Sequence, residues 1–273
     1  MTSRTRQHTD DGASAAIDVA AVTLRLPTVR RHADTAAEEA VRSGLTHRRY
    51  LAELLTAEVE DRNERLQRRR IKEARFPRTK TVDEFDTTRS PIAAATIAEL
   101  ACCRWIDDHR PLILLGDSGT GKTHLLIALG TAAARQGRRV RYSTAAQLVN
   151  ELAAARTDGA IAKTISRYAR YDLLCLDELG YLHLDPIGAE LLFQTLTERD
   201  EQASIAVATN LPFSEWGQVF PDPRLAAAVV DRLTYKAHIL ETGSDSYRLR
   251  QTETTTTRRR PTSPTVRGQT AGG

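Results

Sequence analysis

Residues 116–123 read Gly-Asp-Ser-Gly-Thr-Gly-Lys-Thr, the complete spacing G-x-x-x-x-G-K-[ST], and the apolar run Leu112-Ile113-Leu114-Leu115 stands just before them. A loop of this kind works only between a buried strand and a helix. Its glycines let the backbone curl until successive N–H groups point at one phosphate, and the start of the helix adds its positive dipole end. Gly116, Asp117, Ser118, Gly119, Thr120 and Gly121 would form that cradle. Lys122 would reach the β- and γ-phosphates, and Thr123 would offer its hydroxyl to Mg²⁺. The stretch after the loop is apolar at Leu125, Leu126, Ile127 and Leu129, as a buried helix requires. A chance glycine-rich turn would lack both flanks, so the stretch reads as a nucleotide site taking ATP and Mg²⁺.

Much of the chain then follows from the loop. Strand patterns recur at residues 138–142, 171–176 and 204–209, with helical patterns at 145–155, 159–170 and 187–198. Strands alternating with helices predict an α/β fold whose parallel sheet is covered by helices on both faces. The apolar strand at 171–176 ends in Asp177-Glu178. Asp177 is placed to hold the Mg²⁺ shell through water, and Glu178 to orient or deprotonate the water that attacks the γ-phosphate. Asn210 closes the strand at 204–209 and would hold that water if this strand lay between the loop strand and the Asp177 strand. An acidic pair after a strand can also be a plain turn or helix start, and Asn210 a turn former ahead of Pro212. The phosphate loop upstream favours the chemical reading.

Spacing of three and four makes residues 22–76 a small helical domain, set between a disordered lead-in at 1–21 and a linker at 77–91. Tyr50, Leu51, Leu54, Leu55 and Val59 fall on one helix face. Past Glu60 that stripe gives way to Arg62, Arg65, Arg68, Arg69, Arg70, Lys72 and Arg75, and Pro77 ends the helix. Residues 92–108 are helical again and lead into an ATPase domain at 92–250, followed by a disordered basic tail at 251–273. The net charge of +4 hides an asymmetry: residues 23–80 carry 15 Lys and Arg against 9 Asp and Glu, and residues 250–273 carry 5 against 1. Basic ends around an acidic core point to a polyanion partner. Arg65, Arg68, Arg69, Arg70, Lys72 and Arg75 are the candidate DNA-binding set, unless they form a solvated face paired with Glu58, Glu60, Asp61 and Glu64. No apolar run approaches the roughly 18 residues of a membrane span, and the polar start lacks a leader segment, so a cytoplasmic chain with no membrane partner is expected. Three cysteines without a C-x-x-C pair and seven histidines without ligand spacing argue against a metal cluster or disulfide framework.

Gly-Thr-Gly-Lys-Thr-His (119–124), Leu-Asp-Glu-Leu-Gly-Tyr-Leu (176–182), Ala-Thr-Asn (208–210), Pro-Phe-Ser-Glu-Trp-Gly (212–217), Asp-Arg-Leu (231–233) and Ser-Tyr-Arg-Leu (246–249) together resemble the IstB-like helper ATPases of insertion sequences. These are relatives of the DnaC and DnaI helicase loaders within the AAA+ class. The resemblance extends over roughly residues 23–250 and includes Ala-Arg-Phe-Pro (74–77). It implies a P-loop AAA+ ATPase domain behind a small helical one, and a self-oligomer that assembles on duplex DNA and recruits or activates a cognate DDE transposase. It implies Lys122 and Thr123 in Walker A, with His124 beside them at the nucleotide. Asp177 and Glu178 match Walker B, Asn210 matches sensor 1, and Arg232 matches the arginine finger. Composition alone would leave Arg232 an ordinary surface arginine. Two departures stand out: Asp117-Ser118 occupies a place where many such loops carry proline, and only about 28 residues separate Pro223 from the tail. The second implies a reduced or absent lid, with Arg248 a candidate to replace its sensor arginine.

Two other readings compete. A replicative helicase loader would bind a helicase and single-stranded DNA, and a nucleotide-gated scaffold would have lost hydrolysis, against which the intact Glu178 stands. Single strands are usually held by base stacking on aromatics. The basic helix has none interleaved, which favours a duplex.

Overall fold

The computed structural model describes residues 2–243, and the chain forms two compact units that divide between Arg69 and Arg70. The first unit is helical: α1 (Thr2–Leu24), α2 (Pro27–Arg42) and most of α3 (His47–Ala74). The stretch read as a disordered lead-in is thus helix. Its physical basis is alanine: Ala13, Ala15, Ala16, Ala20 and Ala21 favour helix without producing an apolar period. Tertiary bonds also hold it, with Asp18 paired to Arg30 at 2.8 Å and Ser14 Oγ donating to Asp34 at 2.7 Å.

α2 opens on Pro27 and has no side-chain cap of its own. Its free N–H groups at Thr28 and Val29 donate instead to Glu58 Oε2 of α3, at 2.7 and 3.2 Å. Glu58 is 2% exposed, a buried carboxylate stabilised by the positive end of a helix. The buried side of α3 in this unit therefore runs through Tyr50, Leu54 and Glu58, whereas Leu51, Leu55 and Val59 are exposed. The apolar face drawn from the sequence lies one position off.

The second unit begins inside the last turn of α3. Ala74 is fully buried and Ile71 and Phe76 pack against its core, so the boundary falls earlier than the proline that ends the helix at 77. There follow α4 (Ala94–Ala101), α5 (Arg104–Asp107), β1 (Leu112–Leu115), α6 (Lys122–Arg135), β2 (Val140–Thr144), α7 (Ala145–Thr157), α8 (Ile161–Ala169), β3 (Leu173–Asp177), α9 (Pro186–Arg199), β4 (Ser204–Thr209), α10 (Pro223–Thr234) and β5 (His238–Glu241). The single helix expected at 92–108 breaks at Cys103, which takes φ 61°. Trp105 turns back to donate its indole N–H to Leu100 O at 2.9 Å, closing the corner.

Among the described residues five strands form one parallel sheet, in the order β2-β3-β4-β1-β5. Alternate strand residues enter two cores. Leu112, Leu114, Leu173 and Cys175 face the one built with α4, α5 and α6, and Ile113, Leu174 and Leu176 face the one built with α7, α9 and α10. Burial on both faces explains why these strands are continuously apolar instead of alternating. The order puts β4 between β1 and β3, which seats Asn210 between the phosphate loop and Asp177. No helix of the described residues is long and apolar enough to cross a membrane. Arg248 and the tail at 251–273 lie outside the described residues.

Candidate active site

The carboxyl ends of β1, β3 and β4 open into a cavity of about 520 Å³. Residues 118–124 form one wall and Asp177, Glu178 and Asn210 another. Gly116 and Asp117 do not line it. They shape the loop from behind: a Cβ on Gly116 would overlap Thr242 Oγ1 and stand 2.7 Å from Gly243 O, so only glycine permits the approach. Asp117 N–H donates to Gly243 O at 3.1 Å, and the Thr120 and Thr242 hydroxyls share a hydrogen bond at 2.6 Å. The phosphate loop therefore rests on the residues that leave β5, a strand whose weak alternation of half-buried His238 and Leu240 escaped the sequence reading.

Lys122 Nζ donates to Gly116 O and Asp117 O, each at 2.7 Å, which holds the ammonium over the loop. Thr123 Oγ1 donates to Asp177 Oδ1 at 3.3 Å. A hydroxyl and a carboxylate brought together beside a phosphate cradle are the hard oxygen donors that Mg²⁺ takes when nucleotide phosphates complete its shell. The residues fit the ion. Asp177 is 3% exposed, and its other oxygen accepts from Tyr142 Oη at 2.8 Å. Burial, then the neighbouring carboxylate, raises the Tyr142 pKa, so the phenol stays a donor. Tyr142 was invisible in the sequence because its role depends on β2 lying next to β3.

Glu178 follows with φ 62° and an exposed side chain, its own N–H bonded to Asp177 Oδ1 at 3.0 Å. The left-handed turn carries Glu178 out of the strand line and leaves its carboxylate at the cavity. Asn210 Oδ1 is buried, and among the described residues it has no hydrogen-bond partner. A Cβ on Gly180 would collide with that oxygen, so the bare backbone of Gly180 is what admits Asn210.

The stretch read as a linker supplies a further wall. Arg78, Lys80, Phe85, Arg89 and Ser90 line the cavity, and Phe85 meets His124 edge-on with centroids 5.5 Å apart. Burial lowers the His124 pKa, which favours the neutral ring, with Nε2 near Thr81 O at 3.4 Å. Phe85, the one aromatic between Pro77 and Pro91, was the available signal.

Arg232 is elsewhere. It stands on α10 at a second cavity of about 320 Å³ that shares no lining residue with the first. Of the basic set, Arg65 pairs with Glu58 and Asp61 at 3.4 and 3.1 Å, and Arg68 with Glu64 at 2.5 Å. Arg69 is engaged as well. Arg70 pairs with Glu73 and donates to Gly137 O, each at 3.0 Å, while Lys72 and Arg75 are exposed. Local carboxylates thus balance more of α3 than its sequence density implied.

Comparison with known proteins agrees with this geometry. The family model described as IstB-like ATP binding protein matches residues 19–255. Over 229 residues the chain is 36% identical to the insertion sequence IS5376 ATP-binding protein of Geobacillus stearothermophilus, covering 84% of this chain and 91% of that one. It is 35% identical over 229 residues to the insertion sequence IS21 ATP-binding protein of Pseudomonas aeruginosa, at 84% and 86% coverage. Among solved structures, AMPPCP-bound DnaA from Aquifex aeolicus matches with a TM-score of 0.51 and 24% identity, covering 60% of this chain and 50% of that one. DnaI matches with a TM-score of 0.51 and 19% identity, covering 59% and 90%. At those identities the likeness is one of fold, the P-loop AAA+ type.

Proposed function

This chain belongs to the IstB-like ATP-binding protein family, and from that premise we propose that it is a Mg²⁺-dependent ATPase that assembles on duplex DNA and recruits or activates the DDE transposase of an insertion sequence. The observation that supports hydrolysis most directly is the meeting of Lys122, Thr123, Asp177, Glu178 and Asn210 in one cavity, each on a different part of the phosphate chemistry. Lys122 and the loop N–H groups bind the β- and γ-phosphates. Thr123 and Asp177 hold Mg²⁺, which when bound neutralises charge on the transferring phosphoryl group. Glu178 orients the attacking water and takes its proton, and Asn210 fixes that water from the neighbouring strand end. Arg232, remote from its own chain's site, acts on the nucleotide of a neighbouring subunit. The relatives named for insertion sequences support the transposition role, and the basic residues of α3 support DNA binding.

The test is assembly. With ATP and duplex DNA the protein should form large particles visible by electron microscopy, and these should bind a cognate DDE transposase. Assembly on single strands in preference to duplex, with no transposase binding, would overturn this reading in favour of a helicase loader.

A further inference from the structure

We propose that Phe193, Thr197 and Asp200 form a socket that holds Arg232 ready for the nucleotide of a neighbouring subunit, an inference that rests on the trans role assigned to Arg232 above. The three are spaced i, i+4 and i+7, one side of α9 and its C-cap. Each takes a different part of the guanidinium. Asp200 Oδ2 accepts from Nε at 2.6 Å, Thr197 Oγ1 accepts from Nη1 at 3.0 Å, and the Phe193 ring lies 5.1 Å from Cζ. Of the five N–H donors of an arginine, the socket uses the Nε–H and one on Nη1. Among the described residues no hydrogen bond engages Nη2, so the outer edge of the fork is kept for a phosphate.

The socket itself is anchored. Arg199, 2% exposed, donates to the carbonyls of Tyr168 and Ser204, and Asp200 N–H donates to Thr197 O at 3.2 Å. Arg232 and Asp200 remain 26% and 37% exposed, within reach of another chain. A lone surface arginine samples many rotamers and loses that freedom when it engages a partner. Here the loss is taken on folding, and the charged plane arrives already set. Asp200, Thr197 and Phe193 are positioning residues, because they act through Arg232.

The experiment compares ATP turnover by D200A, D200N, T197V and R232A, each alone and mixed with K122A. D200A should lower turnover roughly tenfold to a hundredfold, the range for losing a hydrogen bond to a charged group, with ATP affinity unchanged by equilibrium binding. D200N should lose less, because the amide oxygen still accepts from Nε, and T197V should follow in the same direction should D200A fail to fold. Mixing D200A with K122A should restore activity, because K122A chains bring an intact socket to the intact loops of D200A chains. Turnover by D200A as fast as the unaltered protein would overturn the socket. So would co-assembled D200A and K122A that stay inactive while R232A and K122A recover. Failure of the R232A and K122A mixture to recover removes the trans role itself, and the socket with it.

Discussion

Glu178 is held out of line with its strand by a left-handed backbone, and the proposed mechanism gives it a part in chemistry and none in binding. In the proposed site Lys122, Thr123 and Asp177 would hold phosphate and metal without it. Glu178→Gln should therefore bind ATP with unchanged affinity and lose hydrolysis by roughly two or more orders of magnitude, measured by equilibrium binding and phosphate release on one preparation. Wild-type turnover would remove Glu178 as the base. Gly180 tests the second carboxyl end. A methyl there would press on Asn210 Oδ1 and stand 2.9 Å from Thr209 Oγ1. Gly180→Ala should cost about 1–3 kcal/mol by overpacking and lower turnover through displacement of Asn210. A thermal melt and a turnover assay that both match the unaltered protein would show that Asn210 moves without consequence. At this scale motif spacing singled out Lys122, Thr123, Asp177, Glu178 and Asn210, which line one cavity. It concealed Tyr142, Phe85, Gly180 and Thr242, whose parts depend on which strand or loop lies beside which.

Elements with strong apolar runs were legible. β1, β3 and β4 are buried on both faces and read as unbroken apolar stretches, and α9 came within a residue at each end. β5 sits at the sheet edge with half of its residues exposed, so it carries no run, and α1 is built on alanine without a stripe. α3 was legible as a helix but not in its charge balance, which depends on Glu58, Asp61, Glu64 and Glu73 reaching particular arginines. Intrahelical pairs of exposed side chains are worth only about 0.3–0.5 kcal/mol, little enough for phosphates to displace them. Replacing Arg68, Arg69 and Lys72 by alanine should weaken binding to all duplex sequences alike. It should also flatten the plot of log affinity against log salt by up to about three units, near 0.9 for each phosphate no longer neutralised. The comparison is made with Arg258, Arg259 and Arg260 also replaced, because they would act in the same way. An unchanged slope would leave α3 a solvated face and move the search for a DNA surface to the ATPase unit.

In the whole molecule, the phosphate loop and the proposed finger Arg232 stand at separate cavities. The cavity at the phosphate loop and the one at Arg232 have no lining residue in common, and on the proposed trans role each chain's Arg232 would serve the loop of its neighbour. On that proposal catalysis would belong to pairs of chains. A finger supplied in trans is worth about 10³ to 10⁵ in rate, so turnover per chain should fall steeply on dilution through the assembly threshold. Duplex DNA should move that threshold to lower protein concentration, because chains held on one polymer meet at high effective concentration whatever the bulk value. The same shift should be absent in Arg232→Ala, whose turnover is low at every concentration. The measurement is ATP turnover per chain across a broad dilution series, with and without duplex, beside particle masses at each point. Constant turnover down to concentrations that hold only monomers would place the whole reaction in one chain, and Arg232 would then be a structural residue of α10.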